Sequence, residues 1–410
     1  MKNVWTRFTA AAGIALLTSA SAALAGELVI NANTSDPAPK AAFEAAIAQF
    51  EKENPDVTVK FNVFDHEGFK TSIRNFLSSQ APDVVTWFAG NRMKVFVDRG
   101  LLEDVSDIWQ TEGLDKKMAS SLSAMSVDGK QFGVPYAYYQ WGVYYRRDLF
   151  EQVGAEVPKT WDEFLAVGEK LKGAGITPVT IGTKYLWTAA GWFDYLNIRT
   201  NGLDFHIELM DGKVPYTDDR VKATMANWKQ LIDAGFFLDN HASYSWQEAQ
   251  PFLYQGKAAM YLIGNFIVPM FPEDIADKMG YFQFPVIDPA VGIGEDAPTD
   301  TIHIPARAQN KEDARKFLAF IARADINGQL ASAIGNLAPN NEVAAPEDRF
   351  LEAGARILAS ADGLAQFYDR DTDPELAKLG MQGFQEFMVK PDRLDPILDR
   401  LEKARQRIFK

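Results

Sequence analysis

Val57-Thr58-Val59-Lys60-Phe61-Asn62-Val63 alternates apolar and polar side chains at every step. That period of two marks a strand with one face buried. Upstream, Phe43, Ile47 and Phe50 recur at i, i+4 and i+7 on a helix that Asn54-Pro55 ends, and Leu28-Val29-Ile30 is a short apolar strand before it. Downstream, Phe69, Ile73, Phe76 and Leu77 make a second helical stripe, and Val84-Val85-Thr86 a third strand. Strand, helix, strand, helix, strand with short connections predicts right-handed crossovers and a parallel sheet, hence an α/β chain. Ligands gather outside the carboxyl ends of such strands. The segments that lie there, residues 31–36, 65–68 and 87–92, are polar or aromatic and form the candidate binding rim.

The rest of the chain supplies a second set of elements. Thr160 and Glu163 stand at the reciprocal positions of a capping box, so a helix starts at Trp161. Pro178-Val179-Thr180-Ile181 reads as a strand, residues 221–234 as an amphipathic helix stopped by Gly235, and residues 258–263 as a strand running into Gly264-Asn265. Thr301-Ile302-His303-Ile304 is a further strand, followed by a helix over 311–323. The last hundred or so residues are mostly helical and end in a basic turn of Lys403, Arg405, Arg407 and Lys410, which suits a helix C-terminus. The length of 410 residues suggests two domains.

Residues 1–25 read as an export signal. Lys2 and Arg7 precede a short apolar run, and Ala23-Leu24-Ala25 offers an A-x-A cleavage pattern, so the mature chain is expected to begin at Gly26. No other stretch approaches about 18 uninterrupted apolar residues, so no membrane-embedded segment is expected. There is no cysteine, hence neither a disulfide framework nor a lipid attachment point. A periplasmic, freely diffusing monomer is the expectation. The formal charge is -13, or -15 without Lys2 and Arg7, and no basic stripe is present, which argues against nucleic acid or anionic lipid as a partner.

Enzyme signatures are missing: there is no G-x-S-x-G elbow, no phosphate loop and no G-x-G-x-x-G fingerprint. His66, His206, His241 and His303 lie far apart, without metal-ligand spacing. Asp369, Asp371 and Asp373 begin like a calcium loop, but Pro374 stands where Gly is needed and Gly380 where a bidentate Glu belongs. Neither catalytic residues nor a metal or cofactor are therefore expected. Adjacent acids such as Asp218-Asp219, Glu273-Asp274 and Glu295-Asp296 are better read as solvated faces or helix starts than as hydrolytic pairs. The positive signal is aromatic: Trp87-Phe88, Tyr138-Tyr139-Gln140-Trp141, Tyr185-Leu186-Trp187 and Trp246-Gln247 all stand in polar surroundings. A pyranose has flat apolar faces and an equator of hydroxyls, so its site wants aromatic platforms with polar partners.

Four ordered segments carry a family resemblance. Ala81-Pro82-Asp83-Val84-Val85-Thr86-Trp87 with Gly100-Leu101-Leu102-Glu103-Asp104-Val105 resembles the most recognisable stretch of the family 1 extracellular solute-binding proteins of bacterial ABC sugar importers, the maltose-binding-protein-like group. Phe132-Gly133-Val134-Pro135-Tyr136 through Tyr144-Tyr145-Arg146-Arg147-Asp148-Leu149-Phe150 looks like the family's first crossing between lobes; Pro158 to Phe164 is similar to its P-x-T-W-D-E helix start, and Gly256-Lys257-Ala258-Ala259-Met260 to its G-x-A-A-M strand. The resemblance covers essentially the whole mature chain. It implies a two-lobe periplasmic-binding-protein fold, each lobe a mainly parallel sheet flanked by helices, joined by hinge segments and closing over ligand.

The N-terminal lobe would be 26–137 plus 288–323 and the C-terminal lobe 142–284 plus 328–410, with hinges near 138–141, 285–298 and 324–327. The implied ligand contacts are Ser35, Asp36, Asp65 and His66 after the first two strands, then Trp87, Phe88, Asn91 and Arg92 after the third. Tyr139 at a crossing, Trp187 as the second lobe's stacking platform, Gly264, Asn265 and Phe266 in its contact loop, and Thr301 and His303 on the returning strand complete the set. Asn265-Phe266 replaces a tryptophan common after this glycine, which implies a smaller or more polar ligand than a maltodextrin. The function implied is capture of a mono- or oligosaccharide or glycoside for a membrane permease; a secreted carbohydrate-active hydrolase, or a receptor for a phosphorylated polyol or a polyamine, is the alternative.

Overall fold

A computed structural model describes Met1, residues 26–79 and residues 81–410. The export-signal reading of residues 2–25 lies outside the described residues. Two hydrophobic cores organise the chain, each built on its own sheet.

The first sheet runs β2-β1-β3-β12-β6. Strands β1 (Gly26–Ala32), β2 (Val57–Val63) and β3 (Val84–Phe88) pair in parallel through the two helices Pro37–Glu53 and His66–Ser78, as the alternation of apolar stripes requires. Leu28 and Ile30 of β1 are fully buried against Phe43, Phe50 and Phe69 of those helices. A short hairpin of β4 (Ser126–Val127) and β5 (Lys130–Gln131) turns through Asp128 and Gly129, both with positive φ, as a two-residue hairpin loop demands. It precedes β6 (Val134–Tyr138) at the sheet edge.

The second sheet has the order β10-β7-β9-β8. It comprises β7 (Trp141–Arg146), β8 (Thr177–Val179), β9 (Ala258–Gly264) and β10 (Met279–Phe282), packed against Phe164, Trp192, Trp228 and Phe384. The expected capping box at Thr160 and Glu163 starts the helix Trp161–Gly173. A small parallel pair, β11 (Gly294–Asp296) with β13 (Gly363–Ala365), lies beside it. In each main sheet every strand but one points the same way. The exceptions are β7 and, in the first sheet, β12 (Thr299–His303), which runs antiparallel to both β3 and β6.

The chain passes between the cores three times. Tyr139 and Gln140 link β6 to β7, and Ala297 and Pro298 link β11 to β12. The second passage is narrower than the expected 285–298, because Phe284 belongs to the second core and Val286 bridges Thr160 there. The third passage departs from the expected 324–327. Those residues open the helix Ala324–Ala333, whose Ile326 and Leu330, with the following Ile334, form an apolar stripe that only the first core covers. The first lobe therefore keeps residues 324–334; Leu337 pairs with Tyr138, and the second core resumes at Phe350.

Candidate ligand-binding cavity between the lobes

A cavity of about 360 Å³ lies between the carboxyl ends of β1–β3 and the second lobe, within the ~300–1,000 Å³ range of small-molecule sites. Its second-lobe wall is aromatic. Trp141 stacks on Phe367 with centroids 4.6 Å apart; Trp187 stands edge-on to Trp141 at 5.9 Å, and Phe266 edge-on to Trp246 at 5.1 Å. Gly264 makes this packing possible: a Cβ there would stand 2.4 Å from the Phe266 ring and 3.0 Å from Tyr139.

The facing wall is polar. Asn33 accepts from Thr86 Oγ1 at 2.8 Å and lies 3.2 Å from Nδ1 of His66. Burial, with Lys70 close by, holds His66 neutral, and burial also lowers the Lys70 ammonium, which is 3.4 Å from Glu67. Three buried polar atoms of cavity residues have no protein partner: Thr34 Oγ1, Trp141 Nε1 and Asn336 Oδ1.

Arg370 joins the two walls. It projects from the second lobe, 4.2 Å above the Phe88 ring, and donates to the Thr299 carbonyl at 3.0 Å and to Tyr139 Oη at 2.9 Å. Its Nη1 is 3.1 Å from Asp300. Burial raises the Asp300 carboxyl although Arg370 opposes this. Burial likewise opposes ionisation of Asp369, but Arg92, Lys70 and Arg370 outweigh it and hold that carboxyl at about 2.

Of the ligand contacts implied by the resemblance, Asp36, His66, Phe88, Tyr139, Trp187 and Phe266 line this cavity. Burial raises the Asp36 carboxyl. The others do not line it. Ser35 is exposed, and Asp65 caps its helix by accepting from Gly68 N at 2.8 Å. Trp87 is 3% exposed and packs on Phe69 and Phe96 within the first core, because successive residues of a strand face opposite ways and Phe88 takes the cavity side. Arg92 is bound to Asp369, and Asn91 donates to the Asp371 carbonyl at 2.7 Å. Asn265 is fully buried and donates to the Gly335 carbonyl, while Gly264 acts only by lacking a Cβ. Thr301 and His303 are buried together, with the imidazole against the Phe132 carbonyl. Asp300 pairs with Phe88, and Thr301 with Trp87, between β12 and β3, so Asp300 faces the cavity instead.

Trp141 and Trp246 carried the sequence signal of aromatics in polar company. Asp300, Asp369, Arg370 and Lys70 carried none, since each acquires its place only when distant segments meet.

Two α/β lobes around a cavity, aromatic on one side and hydrogen-bonding on the other, define a two-lobe binding protein. The chain belongs to the family of bacterial extracellular solute-binding proteins, which matches residues 34–327. That family is one of binding proteins, not of enzymes. An ABC transporter extracellular-binding protein of Pyrococcus horikoshii is 26% identical over 340 residues, covering 79% of this chain and 74% of the relative. The multiple sugar-binding protein of Streptococcus mutans is 25% identical over 291 residues, 69% of this chain and 68% of its own. Among solved structures, the bacterial solute receptor AcbH, described as exclusively preferring β-D-galactopyranose, superposes with a TM-score of 0.88 at 30% identity, covering 94% of this chain and 100% of its own. A chitin oligosaccharide binding protein superposes with a TM-score of 0.85 at 23% identity, covering 93% and 98%. Among the described residues no helix is long and apolar enough to cross a membrane.

Proposed function

We propose that this protein captures a saccharide in the interlobe cavity, without altering it, and delivers it to the membrane permease of an ABC importer. The observation that carries this reading is the lining of the cavity by clustered aromatics together with hydrogen-bonding groups such as Asn33, Asp36, Asp300 and Arg370. Sugar rings lie flat on indole or phenyl faces while their hydroxyls take up the polar wall. The sugar-binding names of a relative and of structural neighbours support the ligand class.

The lobes would close over the ligand by hinge motion at the three passages and present a joint surface to the permease. The export signal, with cleavage after Ala25, would place the protein in the periplasm as a monomer. Arg92, a cation that could have met a phosphorylated cargo, is instead paired with Asp369, which favours a neutral sugar. Isothermal calorimetry against a saccharide panel, with the ligand recovered by mass spectrometry, tests the reading. Binding with intact recovery is the expected result; release of hydrolysis products, or no saccharide bound, overturns it.

A further inference from the structure

A second cavity, of about 520 Å³, also lies between the lobes, on the far side of Arg370. Its lining includes Asn91, Ser120, Ser123, Gln366 and Asp371. Sequence neighbours divide between the two cavities: Phe88 faces the first and Gly90 the second, Asp300 the first and Thr299 the second, Arg370 the first and Asp371 the second. A single layer of residues therefore separates them.

That layer is held by bonds between the lobes. Arg370 ties Asp300, the Thr299 carbonyl and Tyr139; Arg92 ties Asp369; Asn91 ties the Asp371 carbonyl. It has no slack at Gly90, where φ is +69° and a Cβ would stand 2.9 Å from the Arg370 carbonyl oxygen. The opposite rim of the first cavity is different in kind. Pro37, Pro39, Pro269 and Met270 form it, Pro37 and Pro269 being exposed, and none offers a side-chain donor or acceptor. Asp36, beside Pro37, is the charged group nearest that rim.

One ring can stack on the aromatic wall and reach the polar groups. A second ring would have to pass the layer or stand at the rim, where apolar Pro and Met side chains leave its hydroxyls little but Asp36 to bond. Resting on the saccharide reading above, we infer that the cavity takes a single pyranose unit, and that the layer formed by Arg92, Asp369 and Arg370 sets this chain-length limit. Kinship does not decide the matter, since the structural neighbours include receptors named for one sugar and for oligosaccharides.

The test is calorimetry on the full-length mature protein with galactose, glucose, mannose and xylose against lactose, melibiose, maltose, cellobiose and xylobiose. At least one monosaccharide is expected to bind at least 100-fold more tightly than every disaccharide containing it; a disaccharide that binds as tightly as its monosaccharide overturns the limit. If no saccharide of either length binds, the saccharide reading itself falls and takes this inference with it. In the double variant Arg92→Ser with Asp369→Ser, checked for folding by its melting curve, the preference is expected to shrink at least tenfold. A folded double variant that still binds the monosaccharide with undiminished preference shows that this layer does not set the length.

Discussion

Arg92 and Asp369 stand 277 positions apart in the chain, on different lobes, and meet with Nη2 2.7 Å from Oδ2 and side chains 18% and 6% exposed. A second bond, from Nε to the Asp369 carbonyl at 2.8 Å, fixes the guanidinium in the plane of its partner. A charge-assisted pair of this kind belongs to the arrangement of the two lobes, not to the interior of either.

Arg92→Ala is therefore expected to act on closure more than on folding. With the lobes apart both side chains meet water, so the loss falls on the ligand-bound form. Saccharide affinity should weaken at least tenfold, or about 1.4 kcal/mol, while the thermal midpoint of the unliganded protein stays within a few degrees. Calorimetry and scanning calorimetry on the same sample read both quantities; unchanged affinity would remove the pair from closure.

Trp187 and Trp87 should behave oppositely. Trp187 borders the cavity and touches Trp141 and Trp246, so Trp187→Ala should lower affinity at least tenfold and leave the fold intact. Trp87→Ala empties a place in the first core and should cost about 3–5 kcal/mol of stability. Urea unfolding followed by calorimetry separates the two, and equal effects of both variants would contradict the placement.

Acid should weaken the fold through buried histidines. Burial depresses His206 to about 3 and His303 to about 4, the latter despite the Phe132 carbonyl that favours its charged form. Both folded values lie below the unfolded value of about 6.5. The unfolded chain therefore binds protons first, and stability falls as pH drops from about 6.5 towards 4. Each histidine contributes a slope of about 1.4 kcal/mol per pH unit in that window. Urea unfolding at pH 7.5, 6 and 5 should show the decline, and His303→Gln should flatten it; a variant with the parental slope would rule His303 out as a source.

Gly264→Ala probes the aromatic wall. The backbone there has an ordinary extended conformation, with φ -72°, so strain is not at issue. The new methyl would meet the Phe266 ring at 2.4 Å and push it out of register with Trp246. Saccharide affinity should fall about tenfold with little change in the unfolding midpoint; calorimetry showing parental affinity would mean the ring is free to step aside.

The fold was legible in the sequence wherever periodicity speaks. The β1–β3 unit and the Thr160 capping box follow from local pattern, whereas the first crossing at Tyr139 came from the family resemblance. The site was legible only to the level of its segments. Trp87 and Thr301 were each one residue from Phe88 and Asp300, which face the cavity, and a strand inverts its facing at each residue. Arg92 and Asn265 stand at the lobe interface but bind the other lobe's groups. Asp369 and Arg370 resembled nothing but a failed calcium loop, because their partners Arg92 and Asp300 lie elsewhere in the chain. The third crossing, implied at 324–327 by the resemblance alone, falls later because Ile326, Leu330 and Ile334 are buried in the first core.

β12 sits in the interior of the first sheet, between β3 and β6, although the second lobe's whole main sheet precedes it in the chain. During synthesis, β3 and β6 emerge early with a gap between them that no available strand fills. The first sheet therefore closes only once His303 has been made, and the first core is complete only with Ile334.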